Sequence, residues 1–286
     1  MTMQPRLGEV LLGIEGLALL RLAFAAAAPA RHARVAEMRA LLQCFDDTPA
    51  LAAPLDEVAY DLTEGYRRWS ETYDRPGRLF PIEEPVMHVL LDPLPPSVVL
   101  DAACGTGRQS AYLASRGHRI IGVDRSPAML AQARRKLPHG DFREGSLEAL
   151  PLASASVDAV VCALALIHVP TLGPVMQEYA RVVRPGGRVV ISDVHPFLVL
   201  LGWRAQFCTA SGEAASIALH VHLLSDYFQA FAAAGLRVRG CYEPPLTPEA
   251  ARTVAGAHVP EAQHAAFSGL PGLVIWDLER DSARSC

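Results

Sequence analysis

The spacing of apolar residues changes along the chain. Near the amino terminus they recur every three or four positions, the period of an amphipathic helix, at Leu7, Val10, Leu11, Ile14, Leu17 and Leu20. Pro29 interrupts this run, and a second helical run follows it. The spacing predicts a helical hairpin over residues 1–54, which ends in the proline-punctuated stretch Thr48–Pro54.

Further along, short apolar runs alternate with helical segments. Strands fit at 97–102, 119–124, 140–144, 157–163, 187–193, 236–242 and 272–278. Helices fit at 62–71, 82–91, 107–116, 127–136, 171–183, 225–234 and near 248–265. This alternation requires crossover connections, so it predicts a mostly parallel sheet with helices on both faces. We therefore expect an α/β domain over residues 55–286, preceded by an N-terminal helical extension.

Composition narrows the class of protein. The chain is 51% hydrophobic and 20% charged, which is typical of a globular protein. Its net charge of −4 gives no general attraction for nucleic acid or anionic membranes. Val10–Ala30 is apolar, but Glu15 and Arg21 within it favour a soluble helix over a membrane span or signal peptide. We expect a cytoplasmic protein with reduced, structural cysteines. These are Cys44, Cys104, Cys162, Cys208, Cys241 and Cys286.

A glycine turn follows the strand predicted at 97–102. In Asp101–Gly107, two glycines lack the Cβ that would keep a ligand from the backbone, and both tolerate positive φ. The dinucleotide-binding fingerprint requires a third glycine where Ser110 stands, and it would bring a pyrophosphate close to the Asp101 carboxylate. The turn therefore favours a cofactor that has a cationic amino-acid moiety and no phosphate.

The next predicted strand ends in an acid that suits a ribose. Asp124 lies 17 residues after Gly107, where a carboxylate can accept hydrogen bonds from both ribose hydroxyls. Ser126 and Pro127 then begin a helix as its cap and first-turn proline. The structural alternative is that Asp124 is an ordinary acid at the end of a strand, but the glycine turn upstream favours a role in ligand binding.

Five segments in register resemble the class I S-adenosylmethionine-dependent methyltransferases of the type 11 group. They are 101–107, 122–130, 150–152, 157–160 and 183–188, and the resemblance spans roughly residues 58–245. It implies a Rossmann-like, seven-stranded sheet with one antiparallel strand. It also implies that S-adenosylmethionine lies across the carboxyl ends of the first strands.

The resemblance further implies which residues hold the cofactor. The glycine turn would hold the methionine and ribose portions, and Arg125 and Met129 would flank the adenine. Family members commonly have an acid where Ser146 stands, although a serine hydroxyl can accept the same bond. Tyr66 and Tyr73 would either close over the cofactor as a lid or fix a helix to the sheet. The full set is Tyr66, Tyr73, Asp101, Ala102, Gly105, Gly107, Asp124, Arg125, Met129, Ser146, Leu147, Ala163 and Leu164.

Methyl transfer from a sulfonium depends mainly on orientation, and a general base is needed only if the acceptor loses a proton. The candidate bases are His168, His195 and His222, each of which has a structural alternative. We expect no metal site, because the nearby pair His220 and His222 lacks further ligands at suitable spacing. Trp203, with other nearby aromatic residues, would form an aromatic wall for the acceptor or pack in the core.

The sequence thus predicts methyl transfer to a small-molecule acceptor, such as a natural-product or specialised-metabolite intermediate. Two alternatives remain open: an S-adenosylmethionine-binding protein that does not methylate, and a Rossmann oxidoreductase. Neither nucleic acid nor a membrane is an expected partner. The apolar stripe of the N-terminal hairpin must be covered by the α/β domain or by a second copy of the chain, and we expect a homodimer.

Overall fold

The structure is a computed structural model that describes residues 4–24 and 28–282. Its helices are α1 (Leu7–Ala23), α2 (Ala28–Cys44), α3 (Pro49–Ala52), α4 (Leu62–Trp69), α5 (Phe80–Leu91), α6 (Arg108–Ser115), α7 (Pro127–Lys136), α8 (Leu172–Val182), α9 (Pro196–Leu200), α10 (Leu224–Ala234) and α11 (Pro260–Phe267). Its strands are β1 (Val58–Tyr60), β2 (Val98–Ala102), β3 (Arg119–Asp124), β4 (Asp141–Glu144), β5 (Val157–Ala163), β6 (Val183–Val194), β7 (Ala205–Cys208), β8 (Ala214–Ile217), β9 (Leu236–Tyr242) and β10 (Leu273–Arg280).

The chain packs as two units. The first combines Met1–Glu57 with Pro245–Leu270, and the second combines Val58–Pro244 with Pro271–Cys286. Helical spacing alone assigned residues 245–270 to the α/β domain. In the structure this segment belongs to the first unit, because α1 packs against α11 as well as against α2.

Within the first unit, α1 buries an apolar stripe and one charged group. Leu11, Ile14 and Ala18 are buried, as the helical spacing predicts. Beside them the buried carboxylate of Glu15 lies 3.2 Å from the buried guanidinium of Arg34. Arg34 also reaches Glu37 and Glu261, so a single arginine joins α1, α2 and α11. Removing this arginine would leave a buried carboxylate without its counter-charge.

The second unit is built on a seven-stranded sheet of order β4-β3-β2-β5-β6-β10-β9. β10 runs antiparallel to β6 and β9, and the remaining pairs are parallel. This confirms the mostly parallel, helix-flanked sheet with one antiparallel strand. The order reverses beside β2, which opens a crevice at the carboxyl ends of β2 and β5.

A second, three-stranded sheet of order β1-β8-β7 was not predicted. Its strands have three or four residues each, too few to give a clear alternating pattern. Ile217 on β8 packs so closely over α4 that a Cβ added to Gly65 would lie 2.5 Å from it. Phe207 on β7 stacks on Trp69, with ring centroids 4.8 Å apart. The small sheet therefore holds α4 in place.

Two whole-chain expectations concern membranes and thiols. Across residues 4–24 and 28–282, no helix has both the length and the apolar character needed to cross a bilayer. The five cysteines in the described ranges are free thiols. The sixth, Cys286, lies outside the described residues.

Candidate functional site

A cavity opens at the carboxyl ends of the strands around β2. The space inside it, including the part open to solvent at its mouth, is about 770 Å³. It is lined by Leu62, Thr63, Tyr66, Tyr73, Ala103, Gly105, Asp124, Arg125, Ser126, Gly145, Ser146, Leu147, Glu148, Ala163, Leu164, Ala165, His168 and Val169. We call this the first cavity. Nine of the thirteen residues predicted to hold the cofactor line it.

The glycine turn forms one wall of the first cavity. Ala103, Gly105 and Gly107 all have left-handed backbone, with φ of 57°, 53° and 79°. A Cβ added to Gly105 would meet no protein atom within 4 Å, so the missing side chain leaves room for a ligand. Gly107 instead begins α6, and a Cβ there would lie 3.1 Å from Ala133. The two glycines thus serve different purposes, one facing the ligand space and one permitting helix packing.

Asp124 is fixed by two backbone hydrogen bonds. Its Oδ2 accepts from the N–H of Gly105 at 2.8 Å, and its Oδ1 accepts from the N–H of Ser126 at 2.8 Å. Burial raises the pKa of this carboxyl group, and the two N–H donors act in the opposite direction. Each carboxylate oxygen has a further lone pair, so a clamped Asp124 on the cavity wall fits the two hydroxyls of a ribose.

The segment after β4 supplies an acid that the sequence analysis missed. Glu148 lines the first cavity together with Ser146 and Leu147. The Ser146 hydroxyl donates to the Glu148 carboxylate, and the Glu148 N–H donates to Ser146 Oγ at 3.2 Å. Glu148 thus brings an acid to the cavity two residues after Ser146. Its spacing from the strand gave no signal, because the turn after β4 decides which side chain faces the cavity.

Four predicted cofactor residues lie behind the cavity wall: Asp101, Ala102, Gly107 and Met129. Ala102 and Met129 are buried in β2 and α7, and they support the wall by packing. Asp101 accepts a hydrogen bond from Ser110 Oγ at 2.6 Å, which explains the serine where a dinucleotide site has glycine. Burial raises the pKa of Asp101 to about 6, although the Ser110 hydroxyl favours its charged form.

A second cavity of about 750 Å³ adjoins the first. It is lined by Tyr66, Trp69, Tyr73, Gly77, Arg78, Leu79, Phe80, Leu164, Ile167, His168, Val194, Trp203, Arg204, Ala205, Gln206 and Leu219. Four residues line both cavities: Tyr66, Tyr73, Leu164 and His168. We call these four residues the boundary of the two cavities.

The boundary contains a hydrogen-bonded tyrosine and histidine. Tyr66 Oη lies 2.7 Å from His168 Nε2. Burial raises the pKa of Tyr66 well above its usual value. Burial, together with the neighbouring His220, lowers the pKa of His168 to about 4. Near neutral pH the tyrosine is therefore protonated and the imidazole uncharged, so the hydroxyl can donate to Nε2.

The other two candidate histidines line neither cavity. His195 caps α9, since its Nδ1 accepts from the N–H of Phe197 at 3.2 Å while Nε2 lies 2.9 Å from a Glu243 carboxylate oxygen. His222 is buried, and its Nε2 donates to the Val169 carbonyl at 2.8 Å. Both positions have structural partners that account for a histidine. Within the described ranges, no group of three or more His, Cys, Asp or Glu residues is placed to hold a metal ion.

The segment that carries Tyr73 is tied to the glycine turn. Thr106 Oγ1 donates to Asp74 Oδ1 at 2.6 Å, and Lys136 Nζ lies 2.9 Å from Asp74 Oδ2. Tyr73 follows α4, and burial raises its pKa to about 12. This side chain is thereby positioned over both cavities, a location compatible with the lid role expected from the sequence.

Comparisons with known proteins agree with this geometry. A family model described as a methyltransferase domain matches residues 100–191. A demethylmenaquinone methyltransferase of Beutenbergia cavernae is 35% identical over 182 residues, which cover 61% of this chain and 72% of that protein. The biotin biosynthesis bifunctional protein BioHC of Cellvibrio japonicus is 36% identical over 160 residues, 54% of this chain and 30% of that protein. The chain thus matches less than a third of the bifunctional relative.

A solved structure has a similar fold. An S-adenosylmethionine-dependent methyltransferase from Mesorhizobium loti superposes with a TM-score of 0.53 at 20% identity, over 70% of this chain and 98% of that one. At this identity the likeness is one of fold.

Proposed function

The chain belongs to the class I S-adenosylmethionine-dependent methyltransferases of the type 11 group, and we propose that it methylates a small molecule bound in the second cavity. The observation that carries this proposal is the boundary shared by two adjoining cavities. One cavity lies at the carboxyl ends of the strands, where the resemblance to this family implies the cofactor, and the other leaves space for an acceptor beside it. A natural-product or specialised-metabolite intermediate suits the aromatic lining of the second cavity.

The first cavity suits S-adenosylmethionine. Asp124 would hold the ribose hydroxyls, Gly105 would allow the backbone to approach, and Glu148 with Ser146 would meet the adenine edge. Asp101 would contribute a nearby negative charge from behind the turn. When bound, the cofactor supplies a methyl group already activated on a sulfonium sulfur, so orientation provides much of the catalysis. The chain's own contribution is to bind, align and exclude water.

His168 is the proposed proton acceptor for an acceptor that must lose a proton. Its uncharged imidazole receives the Tyr66 hydroxyl hydrogen bond, at the boundary of both cavities. An acceptor hydroxyl beside Tyr66 would pass its proton to the phenol oxygen while the phenol proton moves to His168 Nε2. A base with a pKa of about 4 is weak at neutral pH, so we expect a contribution of about tenfold, below the range of about 10²–10⁴-fold typical of a well-matched general base. His195 and His222 are assigned to structure instead.

The remaining proposals concern the setting of the protein. The free cysteines of the described residues support the proposal of a cytoplasmic location, because thiols stay reduced there. The net charge of −4 disfavours nucleic acid as the acceptor. A homodimer through the N-terminal helices remains a proposal, supported by exposed Leu20, Phe24 and Leu42 on that unit.

Calorimetric titration with S-adenosylmethionine, S-adenosylhomocysteine and NADH tests the cofactor assignment. We expect micromolar binding of the first two, no binding of NADH, and loss of binding in Asp124→Ala. Gly105→Ala should weaken binding by about tenfold or more, because its Cβ enters the ligand space. Gly186→Ala is the matched control: it also has positive φ and no atom within 4 Å of the added Cβ, but it lies outside both cavities.

Two results would contradict the cofactor assignment. Binding of NADH alone would support the oxidoreductase alternative. Equal losses of affinity in Gly105→Ala and Gly186→Ala would mean that backbone strain, not a filled ligand space, causes the effect.

An acceptor screen with labelled methyl groups tests the reaction. We expect the label in the product and one S-adenosylhomocysteine released for each methyl transferred. Consumption of an acceptor without release of S-adenosylhomocysteine would support the non-methylating alternative. With a proton-losing acceptor, His168→Asn should lower kcat by about tenfold. His195→Asn keeps a good helix cap and should stay near the parent rate. Equal losses in the two variants would overturn the assignment of His168.

A further inference from the structure

The chain between α4 and α5 carries a residue that lines both cavities. Residues 70–79 form no helix or strand, and Tyr73 lies within this segment. The Tyr73 ring contacts those of Trp69 and Phe80, with centroids 5.0 Å and 6.0 Å away. Because an irregular segment lacks the repeated backbone hydrogen bonds of a helix or strand, the position of Tyr73 depends on how the segment is attached to its surroundings.

The residues on either side of Tyr73 are attached to different parts of the second unit. Thr72 Oγ1 donates to the Cys208 carbonyl at 2.7 Å, which attaches the segment to β7. Asp74 Oδ1 accepts from Thr106 Oγ1 at 2.6 Å, which attaches the segment to the glycine turn. Tyr73 is therefore held between the small sheet and the turn that forms a wall of the first cavity.

The attachment through Asp74 starts inside the glycine turn. Thr106 is fully buried between the two glycines, yet its hydroxyl is directed to the Asp74 carboxylate. Lys136, at the end of α7, donates to the same Asp74 oxygen at 3.0 Å. A hydrogen bond to a carboxylate is stronger than one between neutral groups, whereas an exposed ion pair contributes little. We call Asp74, Thr106 and Lys136 the latch, and the bond from Thr106 is its stronger part.

The latch joins two segments that both line the first cavity, the glycine turn and the segment of Tyr73. Asp74, Thr106 and Lys136 themselves line neither cavity. They can therefore act on a bound ligand through Tyr73 and not by touching it. Breaking the bond between Asp74 and Thr106 would release the segment from the glycine turn, while the bond from Thr72 would still hold it to β7.

We propose that Asp74 is a positioning residue, which fixes Tyr73 at the boundary of the two cavities and holds the first cavity closed around its ligand. This inference rests on the proposed function in taking that ligand to be S-adenosylmethionine or S-adenosylhomocysteine. When the latch opens, Tyr73 moves away from the glycine turn and the ligand can leave. Because Tyr73 also lines the second cavity, the latch fixes part of the acceptor site as well.

Two measurements on the full chain test the latch. Hydrogen–deuterium exchange of residues 70–79 in the unliganded protein reports how firmly the segment is attached. Surface plasmon resonance gives the association and dissociation rates of S-adenosylhomocysteine. In Asp74→Ala we expect faster exchange and a dissociation rate about tenfold higher, with no loss of association rate. A role in folding alone would instead lower the fraction of protein that binds and leave the dissociation rate unchanged.

Further variants identify the bond responsible. Thr106→Val keeps the shape of the side chain without its hydroxyl, so it should match Asp74→Ala. The double variant should be no worse than either single variant, because both substitutions break the same bond. Asp74→Asn keeps an oxygen that can accept from Thr106 and should recover part of the loss. Lys136→Met should raise the dissociation rate by about threefold or less. Glu71→Ala removes an exposed carboxylate from the same segment and is the control, which should match the parent.

The inference is overturned if exchange of residues 70–79 in Asp74→Ala and Thr106→Val equals that in Glu71→Ala, if their dissociation rates equal that of the parent, or if their effects add in the double variant. Its failure is distinguishable from failure of the proposed function. If the parent does not bind S-adenosylhomocysteine, the cofactor assignment fails, and hydrogen exchange alone decides whether Asp74 positions the segment. If the parent binds it and Asp74→Ala releases it no faster, the cofactor assignment stands and the latch fails.

Discussion

Replacing Asp101 with asparagine should stabilise the protein, and the gain should grow as pH rises. Asp101 is 1% exposed, and burial raises the pKa of its carboxyl group from 3.8 to about 6. Between these values the folded protein holds a proton that the unfolded chain has released. The free energy of unfolding of the parent protein therefore falls as pH rises through this interval. Asparagine removes this titration but keeps an oxygen to accept from Ser110.

The size of the effect follows from the pKa shift. A rise from 3.8 to about 6 is about two pKa units. Each unit corresponds to about 1.4 kcal/mol, so the upper limit is about 3 kcal/mol. We expect the free energy of unfolding of Asp101→Asn, relative to the parent, to increase by about 1–3 kcal/mol between pH 4 and pH 7.5. Affinity for S-adenosylmethionine should fall, because the negative charge behind the glycine turn is lost.

Urea unfolding of both proteins at pH 4, 5, 6 and 7.5 measures this difference. Asp158→Asn is an internal control, because it makes the same substitution at a carboxyl group that titrates below this pH range. Burial opposes ionisation of Asp158, but a hydrogen bond from the Val98 N–H and the ion pair with Arg184 prevail and lower its pKa. The stabilising effect of a lowered pKa develops below the ordinary value of 3.8, so the difference between Asp158→Asn and the parent should stay nearly constant from pH 4 to pH 7.5. A difference between parent and Asp101→Asn that does not vary with pH would refute the reasoning.

Three further predictions concern stability and can be measured by urea unfolding at neutral pH. Arg34→Met should destabilise the protein by about 3 kcal/mol, because buried Glu15 loses its counter-charge, and no change would mean that the pair is dispensable. Gly65→Ala should lower the free energy of unfolding by about 1–3 kcal/mol, because the added Cβ meets Ile217, even though alanine favours a helix. The double variant Gly65→Ala, Ile217→Ala should recover most of that loss. Trp276→Ala should lower the free energy of unfolding by about 3–5 kcal/mol, because it leaves a cavity in the core. Trp276→Phe should lower it much less, because the buried indole N–H has no hydrogen-bond partner in the described residues. Equal losses in the two variants would contradict this.

The central sheet was predictable because its strands are buried on both faces. Val157–Ala163 is a nearly continuous apolar run, and Arg119–Asp124 ends at a helix cap, so both strands and their carboxyl ends can be located from local pattern. Because parallel strands end at one edge, the glycine turn and Asp124 were expected together there, and the structure places both on the first cavity. The pattern of apolar residues and the residues of the turns were sufficient to predict these elements.

Elements formed by distant pairing were not predictable. β1 pairs with β8, which follows it by more than 150 residues. Both strands are too short to give a recognisable pattern in the sequence. The packing of α1 on α11 is equally remote in sequence, so the membership of residues 245–270 could not be read from spacing. Tertiary contacts decide both cases.

The histidines show the same limit within the site. Sequence position identified three candidates beyond the fourth and fifth strands, but which imidazole faces a cavity depends on local hydrogen bonding. His195 is used as a helix cap and His222 bonds a backbone carbonyl, which leaves His168 at the boundary.

The two cavities are made from different parts of the second unit, and this bears on how such an enzyme changes its acceptor. The first cavity depends on strand ends and the glycine turn, where Gly105 and Asp124 hold each other by a hydrogen bond. The helix α4 contributes to both cavities, and the second depends otherwise on the segment before α5 and the residues around β7. Mutations at Trp69, Arg78 or Gln206 can therefore alter acceptor shape and charge without disturbing the sheet. Directed evolution toward new acceptors should begin with a library confined to those three positions.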